Sequence, residues 1–195
     1  MSGAGLEALL REIRACAVCA AHLPHGPRPV VQASGRARLL IIGQAPGSKV
    51  HASGRPWTDE SGRRLREWTG LDETTFYDPE AVAILPMGFC YPGRGANADL
   101  PPRPECAPLW HDRARALLPE VRLTLLVGAH AQAAYIGKAK MQENVERWRD
   151  APPGVFPLPH PSWRVVGWMR RNAWFEDEAL PELRRRVAGA LGSGQ

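Results

Sequence analysis

The sequence contains no run of about 18 apolar residues, the minimum that a membrane-spanning helix requires. Its N-terminus has no basic patch followed by an apolar stretch, so a secretory signal is not expected. These absences predict a cytoplasmic protein without a membrane partner. The 195 residues, 44% of them hydrophobic, suffice for one domain, 1–195, with an ordinary packed core. We expect this domain to be a monomer.

Two nucleotide-binding patterns are also missing. The sequence has neither the G-x-G-x-x-G pattern of dinucleotide-binding folds nor the lysine motif of a P-loop, which disfavours a nucleotide-binding metalloenzyme. The net charge of +5 comes mostly from arginine and permits a polyanionic partner without requiring one. Several of the seven tryptophans stand beside arginines, an interleaving that suits base stacking combined with phosphate contacts.

Cysteine is scarce, with only Cys16, Cys19, Cys90 and Cys106. Thiols in the cytosol stay reduced, which disfavours disulfides. The first two form a C-x-x-C, a common half-site for metal ligation, and the last two flank a loop, 91–105, that is rich in Pro and Gly. Four thiolates suit zinc and a 4Fe–4S cluster equally, and their spacing does not separate the two. Four unrelated buried thiols are the alternative.

Short apolar runs alternate with helical patterns along the chain. This alternation predicts an α/β fold, a three-layer sandwich in which helices cover both faces of a four-stranded parallel sheet. Pro157 suggests that the last strand lies at an edge. The predicted strands are Leu39–Ile42, Val82–Leu85, Leu123–Val127 and Val155–Leu158.

The helical patterns have the spacing of one apolar face. The first pattern lies in the N-terminal segment 6–20 and places the C-x-x-C at the end of its helix. Residues 192–195 are expected to form a frayed tail. The predicted helices are Leu6 to about Cys16, Arg63–Trp68, Pro108–Leu118, a segment from about His130, and Phe175–Leu191.

Two polar turns directly follow predicted strands. Gly43-Gln44-Ala45-Pro46-Gly47 follows the first strand, and His160-Pro161-Ser162 follows the fourth. Ligands of open parallel sheets bind at the carboxyl ends of the strands. The two turns are therefore expected to face each other across one cleft.

These features resemble the uracil-DNA glycosylase superfamily, and most of all its iron–sulfur branch, family 4. The resemblance covers the chain from Cys16 to about Leu183. It rests on five matches in order: the C-x-x-C, G-Q-A-P-G where family 4 has G-E-A-P-G, Gly54-Arg55-Pro56-Trp57 where it has G-R-P-F, the pair Cys90 and Cys106, and His160-Pro161-Ser162.

The resemblance implies a monofunctional DNA glycosylase of base-excision repair. Such an enzyme flips out uracil and hydrolyses its N-glycosidic bond, with other deaminated bases as further candidate substrates. The partner is then DNA that contains uracil or another deaminated base. The resemblance also implies a structural 4Fe–4S cluster held by Cys16, Cys19, Cys90 and Cys106, with zinc as the alternative.

Three residues are the catalytic candidates. His160 is expected to donate a hydrogen bond to the departing base as negative charge develops there. Gln44 is expected to position the attacking water, because Ala45 stands where the best-known family has an aspartate. His51 is a candidate base or substrate contact on the same loop, and Asp59 is the carboxylate alternative.

The candidate base-binding residues come from the first turn, from the segment that follows it and from the end of the second strand. Trp57 is expected to stack on the flipped base, with Gly43, Ala45 and Pro46 beside it. Relatives read the pyrimidine edge with an asparagine at the end of the second strand. Pro86 stands at that place and has no N–H. The backbones of Met87 and Gly88 are therefore the expected readers, with a broader substrate range.

The residues that follow the second turn are the candidates for DNA contact. Trp163 and Arg164 stand where relatives carry the residue that wedges into the duplex. Ser162 and Arg170 are further candidate contacts to the backbone. The alternative function is a damaged-base-binding protein with little or no turnover, because Gln44 is neutral and the asparagine is missing. The glycosylase interpretation requires Trp57 and His160 to share one base-sized hollow.

Overall fold

A four-stranded parallel sheet forms the centre of the protein. The computed structural model describes residues 2–137 and 140–192, with side chains from residue 5. The strand order is β2-β1-β3-β4, which confirms the predicted sheet and the edge position of the strand that contains Pro157. The strands are β1 (Leu39–Ile42), β2 (Val82–Ile84), β3 (Leu123–Val127) and β4 (Val155–Leu158).

Helices cover both faces of this sheet. No helix in residues 2–137 and 140–192 is long and apolar enough to cross a membrane. Short 3-10 turns occur at Ala20–His22 and Trp148–Asp150. The helices are α1 (Ser2–Arg14), α2 (Ser48–Ser53), α3 (Glu60–Thr69), α4 (Glu73–Phe76), α5 (Cys106–Ala116), α6 (Ala129–Tyr135), α7 (Met141–Glu146), α8 (Val165–Arg171) and α9 (Leu180–Leu191).

The alternation of side chains along β1 separates two hydrophobic clusters. Leu39 and Ile41 point to one face, where they join a cluster with residues of α3 and α9. Leu40 and Ile42 point to the other face and join a cluster with residues of α1 and α5. Since both faces are covered, all four side chains are buried, as is typical of parallel sheets. The predicted three-layer sandwich is thus confirmed.

Several element boundaries differ from the predictions. The first helix ends at Arg14, so the C-x-x-C lies in the turn after the helix rather than in its last residues. The predicted helix from Phe175 is divided, because Pro181 lies in the first turn of α9 and lacks an N–H; a π-helical turn, Phe175–Ala179, precedes it. Of the predicted frayed tail, residues 193–195 lie outside the described residues.

Four short helices were not predicted: α2, α4, α7 and α8. The shortest of them, α4, spans only Glu73–Phe76, too little for a helical period to show in the sequence. Helix α2 matters for the site, because it starts directly after Gly47 and is capped at its C-terminus by Gly54, a left-handed residue with φ of 72°. This helix turns the chain from the first motif toward Trp57.

Candidate active site

A cavity of about 400 Å³ opens at the carboxyl edge of the sheet. The rings of Trp57 and His160 border it, with centroids 5.9 Å apart and planes at 36°. The two turns therefore share one rim, as the positions of the strands predict. The lining consists of Val30, Gly43, Gln44, Ala45, Pro46, Gly47, Val50, Pro56, Trp57, Asp59, Ser61, Ile84, Pro86, Pro92, Ala98, Asp99, Leu100, His160, Ser162 and Arg164.

Trp57 has a constrained backbone, with a positive φ of 55° that non-glycine residues rarely adopt. Its carbonyl accepts hydrogen bonds from the Tyr77 hydroxyl at 3.0 Å and from Arg66 at 3.2 Å. The absence of a side chain at Gly62 is also required, since a Cβ there would lie 1.8 Å from the Trp57 carbonyl oxygen. Strain that neighbouring groups maintain in this way is typical of functional sites.

The indole of Trp57 rests on Gly43. A Cβ at Gly43 would come within 2.7 Å of the indole Cζ2 atom, so only glycine permits this approach. The first glycine of the motif therefore determines where the aromatic wall of the cavity stands.

His160 is half-buried at the opposite wall, beside Gly128. Burial lowers its pKa from the ordinary value of 6.5, although the nearby carboxylates of Asp59 and Asp99 act in the raising direction. A neutral imidazole can donate one N–H to charge that develops on a bound group. Arg64 supports this turn by donating a hydrogen bond to the Pro161 carbonyl at 2.7 Å.

The segment after β2 has fewer free N–H donors than the sequence predicts. The Met87 N–H donates to the Gly43 carbonyl at 2.9 Å, and the Gly88 N–H donates to the Gln44 carbonyl at 3.0 Å. These bonds join β2 to the first motif and consume both donors, and neither residue belongs to the cavity lining. The N–H groups of Met87 and Gly88 are therefore not available to read a base, as the prediction for these backbones would require of a donor.

Pro86 does line the cavity, and its carbonyl also has a partner. His111 Nε2 lies 3.0 Å from the Pro86 carbonyl oxygen, and His111 Nδ1 lies 2.6 Å from the Tyr135 hydroxyl. Because a carbonyl can only accept, Nε2 carries the proton and the neutral ring accepts from Tyr135 through Nδ1. Pro86 thus contributes no N–H to the cavity, and its carbonyl already accepts a hydrogen bond.

His51 does not reach the cavity. Helix α2 turns Val50 into the lining and places His51 in a cluster with His25 and Tyr91, at ring-centroid distances of 5.9 Å from each. Burial, and secondarily the charge of Arg28, lower the pKa of His51. The structure therefore places His51 outside the cavity lining, and its role as a base or substrate contact stays a prediction.

A carboxylate that the sequence did not indicate lies in the cavity. Asp99 belongs to the loop after β2, and its Oδ1 accepts a hydrogen bond from the Tyr91 hydroxyl at 3.3 Å. Its Oδ2 lies 3.5 Å from the position that a Cβ on Gly47 would take. In the sequence this aspartate stands in a Pro- and Gly-rich loop without a motif, so no local signal could have identified it.

Of the candidate DNA contacts, Ser162 and Arg164 line the cavity. Trp163 between them is 75% exposed, an unusual exposure for an indole. The Arg164 guanidinium lies 5.4 Å from the Trp163 ring centroid and donates to the Asn97 carbonyl at 3.4 Å. Arg170 lies in the last turn of α8, outside the lining.

The four cysteines converge at the edge of one hydrophobic cluster. Cys19, Cys90 and Cys106 are buried in it, and Cys16 packs against it. Burial, with smaller contributions from the other three thiols, raises the pKa of Cys106 to about 12. Metal binding would displace such a proton. The donor set thus fits a four-thiolate group in kind.

The positions of the thiols do not themselves form a ligand cage. Within the described ranges, no group of three or more His, Cys, Asp or Glu is arranged to hold a metal ion. Cys19 instead donates to Glu105 at 3.7 Å, and Arg103 forms a paired contact with the same carboxylate. Arg103 lowers the pKa of Glu105 to about 2.

The comparison with known families bears on the part of the chain that builds the cavity. The family model described as the uracil DNA glycosylase superfamily matches residues 31–184, which is most of the chain. This range includes the four strands, both turns, Trp57 and Asp99, and it begins after the C-x-x-C. The chain therefore belongs to the uracil DNA glycosylase superfamily.

Proposed function

We propose that the protein is a monofunctional DNA glycosylase that excises uracil, and other deaminated bases, from DNA in base-excision repair. The superfamily supports glycosylase activity in general. The observation that carries the specific proposal is the cavity of about 400 Å³ between Trp57 and His160, which suits a flat base with an anionic leaving form. The monomeric state and the cytoplasmic location stay predictions.

The two walls would contribute to different steps. Extruding a base from the duplex costs a few kcal/mol. Stacking on Trp57 would recover about 1–3 kcal/mol regardless of base identity. As the glycosidic bond breaks, His160 would donate its N–H to the base anion, which is stabilisation that grows toward the transition state. Gln44 would orient the water through its amide.

Selection among bases would fall on side chains rather than on the end of β2. Pro86 offers no donor, and the N–H groups of Met87 and Gly88 already have partners. Gln44 and Ser162 line the cavity and can each donate or accept a hydrogen bond. Such adaptable groups support a range that includes deaminated purines as well as uracil.

The exposed Trp163 would enter the duplex where the base has left it. Its ring is mostly solvent-exposed beside the cavity, and Arg164 holds a position next to it. Apolar wedges of this kind unstack a base step and keep the duplex open. Arg170 would contact phosphate from α8.

For the cysteines, we propose a family 4-type 4Fe–4S cluster with a structural role; zinc is the alternative. The support is the convergence of four thiols on one cluster of buried residues. The test is protein purified without oxygen, analysed by visible absorbance and by iron, sulfide and zinc content. Broad absorbance with four irons per chain supports the cluster, and zinc without absorbance supports the alternative. If the protein contains neither iron nor zinc, both proposals are contradicted.

The decisive experiment for the activity is a panel of oligonucleotides that each contain one uracil, hypoxanthine or xanthine. Wild-type protein should leave an abasic site that alkali cleaves, and His160→Ala and Trp57→Ala should reduce the yield strongly. Tight binding to lesion DNA without any base release would support the damaged-base-binding alternative, which the neutral Gln44 favours. If the protein neither binds lesion DNA nor releases a base from it, both functions are contradicted.

A further inference from the structure

The first motif supplies no charge to the proposed reaction. Gln44 is neutral and Ala45 has no functional group, yet cleavage of a glycosidic bond builds positive charge on the sugar. A carboxylate is the protein group that both stabilises such charge and accepts a proton from water. Among the described residues that line the cavity, the carboxylates are Asp59 and Asp99.

Asp59 already has a structural task. It is the N-cap of α3, and its Oδ1 accepts the N–H of Gly62 at 3.0 Å. The positive end of the helix dipole compensates part of its negative charge. Asp59 is therefore the less suitable of the two carboxylates for stabilising a cation.

Asp99, in contrast, is not a helix cap. None of the ion pairs between described residues involves it. Its Oδ2 lies next to Gly47 of the first motif, where no side chain intervenes. Its negative charge also acts on His160, which places it within electrostatic range of the opposite wall.

The surroundings of Asp99 hold the carboxylate in place. The loop closes through two backbone bonds, from Gly95 N–H to the Ala98 carbonyl at 2.8 Å and from Leu100 N–H to the Gly93 carbonyl at 2.9 Å. Tyr91, only 4% exposed, donates its hydroxyl to Asp99. The Tyr91 ring is in turn stacked on His25, with centroids 5.4 Å apart.

We propose that Asp99 is the catalytic carboxylate of this site and that Tyr91 is its positioning residue; the inference rests on the proposed function. Asp99 orients a water toward C1′ of the sugar. As the C1′–O bond forms, the C1′–N bond breaks and its electron pair leaves with the base. Asp99 accepts the proton of the water and later releases it to solvent. His160 donates its hydrogen bond to the base anion, which is then protonated by solvent.

The test measures single-turnover excision of uracil with enzyme in excess over substrate. Asp99→Asn should slow the chemical step by about 10²–10⁴-fold, the usual contribution of a general base. Asp99→Glu should retain more activity than Asp99→Asn. Tyr91→Phe should also lose less activity than Asp99→Asn, because it removes only the group that positions the carboxylate. The matched control is Asp112→Asn, since the Asp112 carboxylate side chain is 97% exposed and lies outside the cavity.

Chemical rescue separates a reacting carboxylate from a structural one. Added formate should restore part of the excision by Asp99→Gly, because formate can occupy the vacated position and accept a proton. Formate should not affect the wild type or Asp112→Asn. Melting temperatures should agree among these variants, because Asp99 is exposed and forms no ion pair with another described residue.

The same assay separates a failure of the Asp99 inference from a failure of the proposed function. If wild type releases bases and Asp99→Asn does so at the same rate at saturating enzyme, this inference is overturned and the proposed function stands. A change in DNA affinity alone would equally overturn it. If Asp59→Asn slows the chemistry and Asp99→Asn does not, the catalytic carboxylate is Asp59. If wild type releases no base, the proposed function itself fails.

Discussion

At the scale of single residues, the site depends on one unusually placed aromatic side chain. Trp57 has a left-handed backbone, and its indole lies against a glycine that leaves room for nothing larger. The Tyr77 hydroxyl and the Arg66 guanidinium hold its carbonyl. A local conformation of this cost persists because several neighbours stabilise it together.

Gly43→Ala should therefore impair the site without unfolding the protein. The new Cβ would stand 2.7 Å from the indole, which must move. Displacements of about 1 Å can cost up to about 10²-fold in rate. We expect single-turnover excision to fall accordingly, with little change in melting temperature.

Gly189→Ala is the matched control for this variant. Gly189 lies within α9, and a Cβ there meets nothing within 4 Å. Because alanine loses less entropy than glycine in a helix, this change should stabilise the protein by about 0.5–1 kcal/mol and leave excision unchanged. Equal rates for Gly43→Ala and the wild type would show that the indole position does not matter.

At the scale of elements, the start of α3 connects helix stability with the cavity. The Asp59 side chain caps this helix and also lines the cavity. Gly62, one turn into α3, is the residue on which the Trp57 carbonyl packs. One short segment thus determines both the helix terminus and the aromatic wall.

Asp59→Ala should lower the free energy of unfolding by about 0.5–2 kcal/mol, because the cap of Gly62 N–H is lost. Asp59→Asn retains an oxygen at the same position and should lose less. Denaturant unfolding of both variants measures the difference. An equal loss in the two variants would indicate that charge, rather than the cap, is the main contribution.

At the scale of the whole molecule, histidines whose pKa is lowered in the fold make stability depend on pH. Burial lowers the pKa of His111 and of His160 below the ordinary value of 6.5. In the unfolded chain both groups take up protons near that pH, while in the folded protein they remain neutral. Their contribution to stability is therefore present above pH 6.5 and is lost as the pH falls through the lowered pKa values.

We accordingly expect the free energy of unfolding to decrease as the pH is lowered from 7. The limit is about 1.4 kcal/mol per pH unit for each group. His111→Gln should show a shallower decrease than the wild type, since glutamine does not titrate. Denaturant titrations at a series of pH values test this, and identical slopes for the two proteins would contradict it.

Much of the architecture was predictable because it depends on local patterns. Continuous apolar runs marked the four strands, and the proline in the last of them indicated an edge. The polar turns after the first and fourth strands indicated where the site lies. The opposition of Trp57 and His160 then followed from the rule that parallel strands end at one edge.

Other parts of the site were beyond any local pattern. The sequence indicated that the N–H groups of Met87 and Gly88 are free to bind a base. In the fold they donate to the carbonyls of the first motif. His51 follows that motif closely in the chain, yet one turn of α2 points it away from the cavity. Asp99 stands 52 residues after Gly47 in the chain and lies beside it in space.

The sequence by itself determined the strands, the class of fold and the two turns, because hydrophobic periodicity and turn-forming residues act over a few neighbours. Only the tertiary structure decided which polar groups face the cavity. Contacts between distant segments pair some backbone hydrogen-bond donors with carbonyls and place other polar side chains at the cavity. Hydrogen bonds satisfied across the fold leave no trace in the local sequence, and they determine which chemistry the cavity has available.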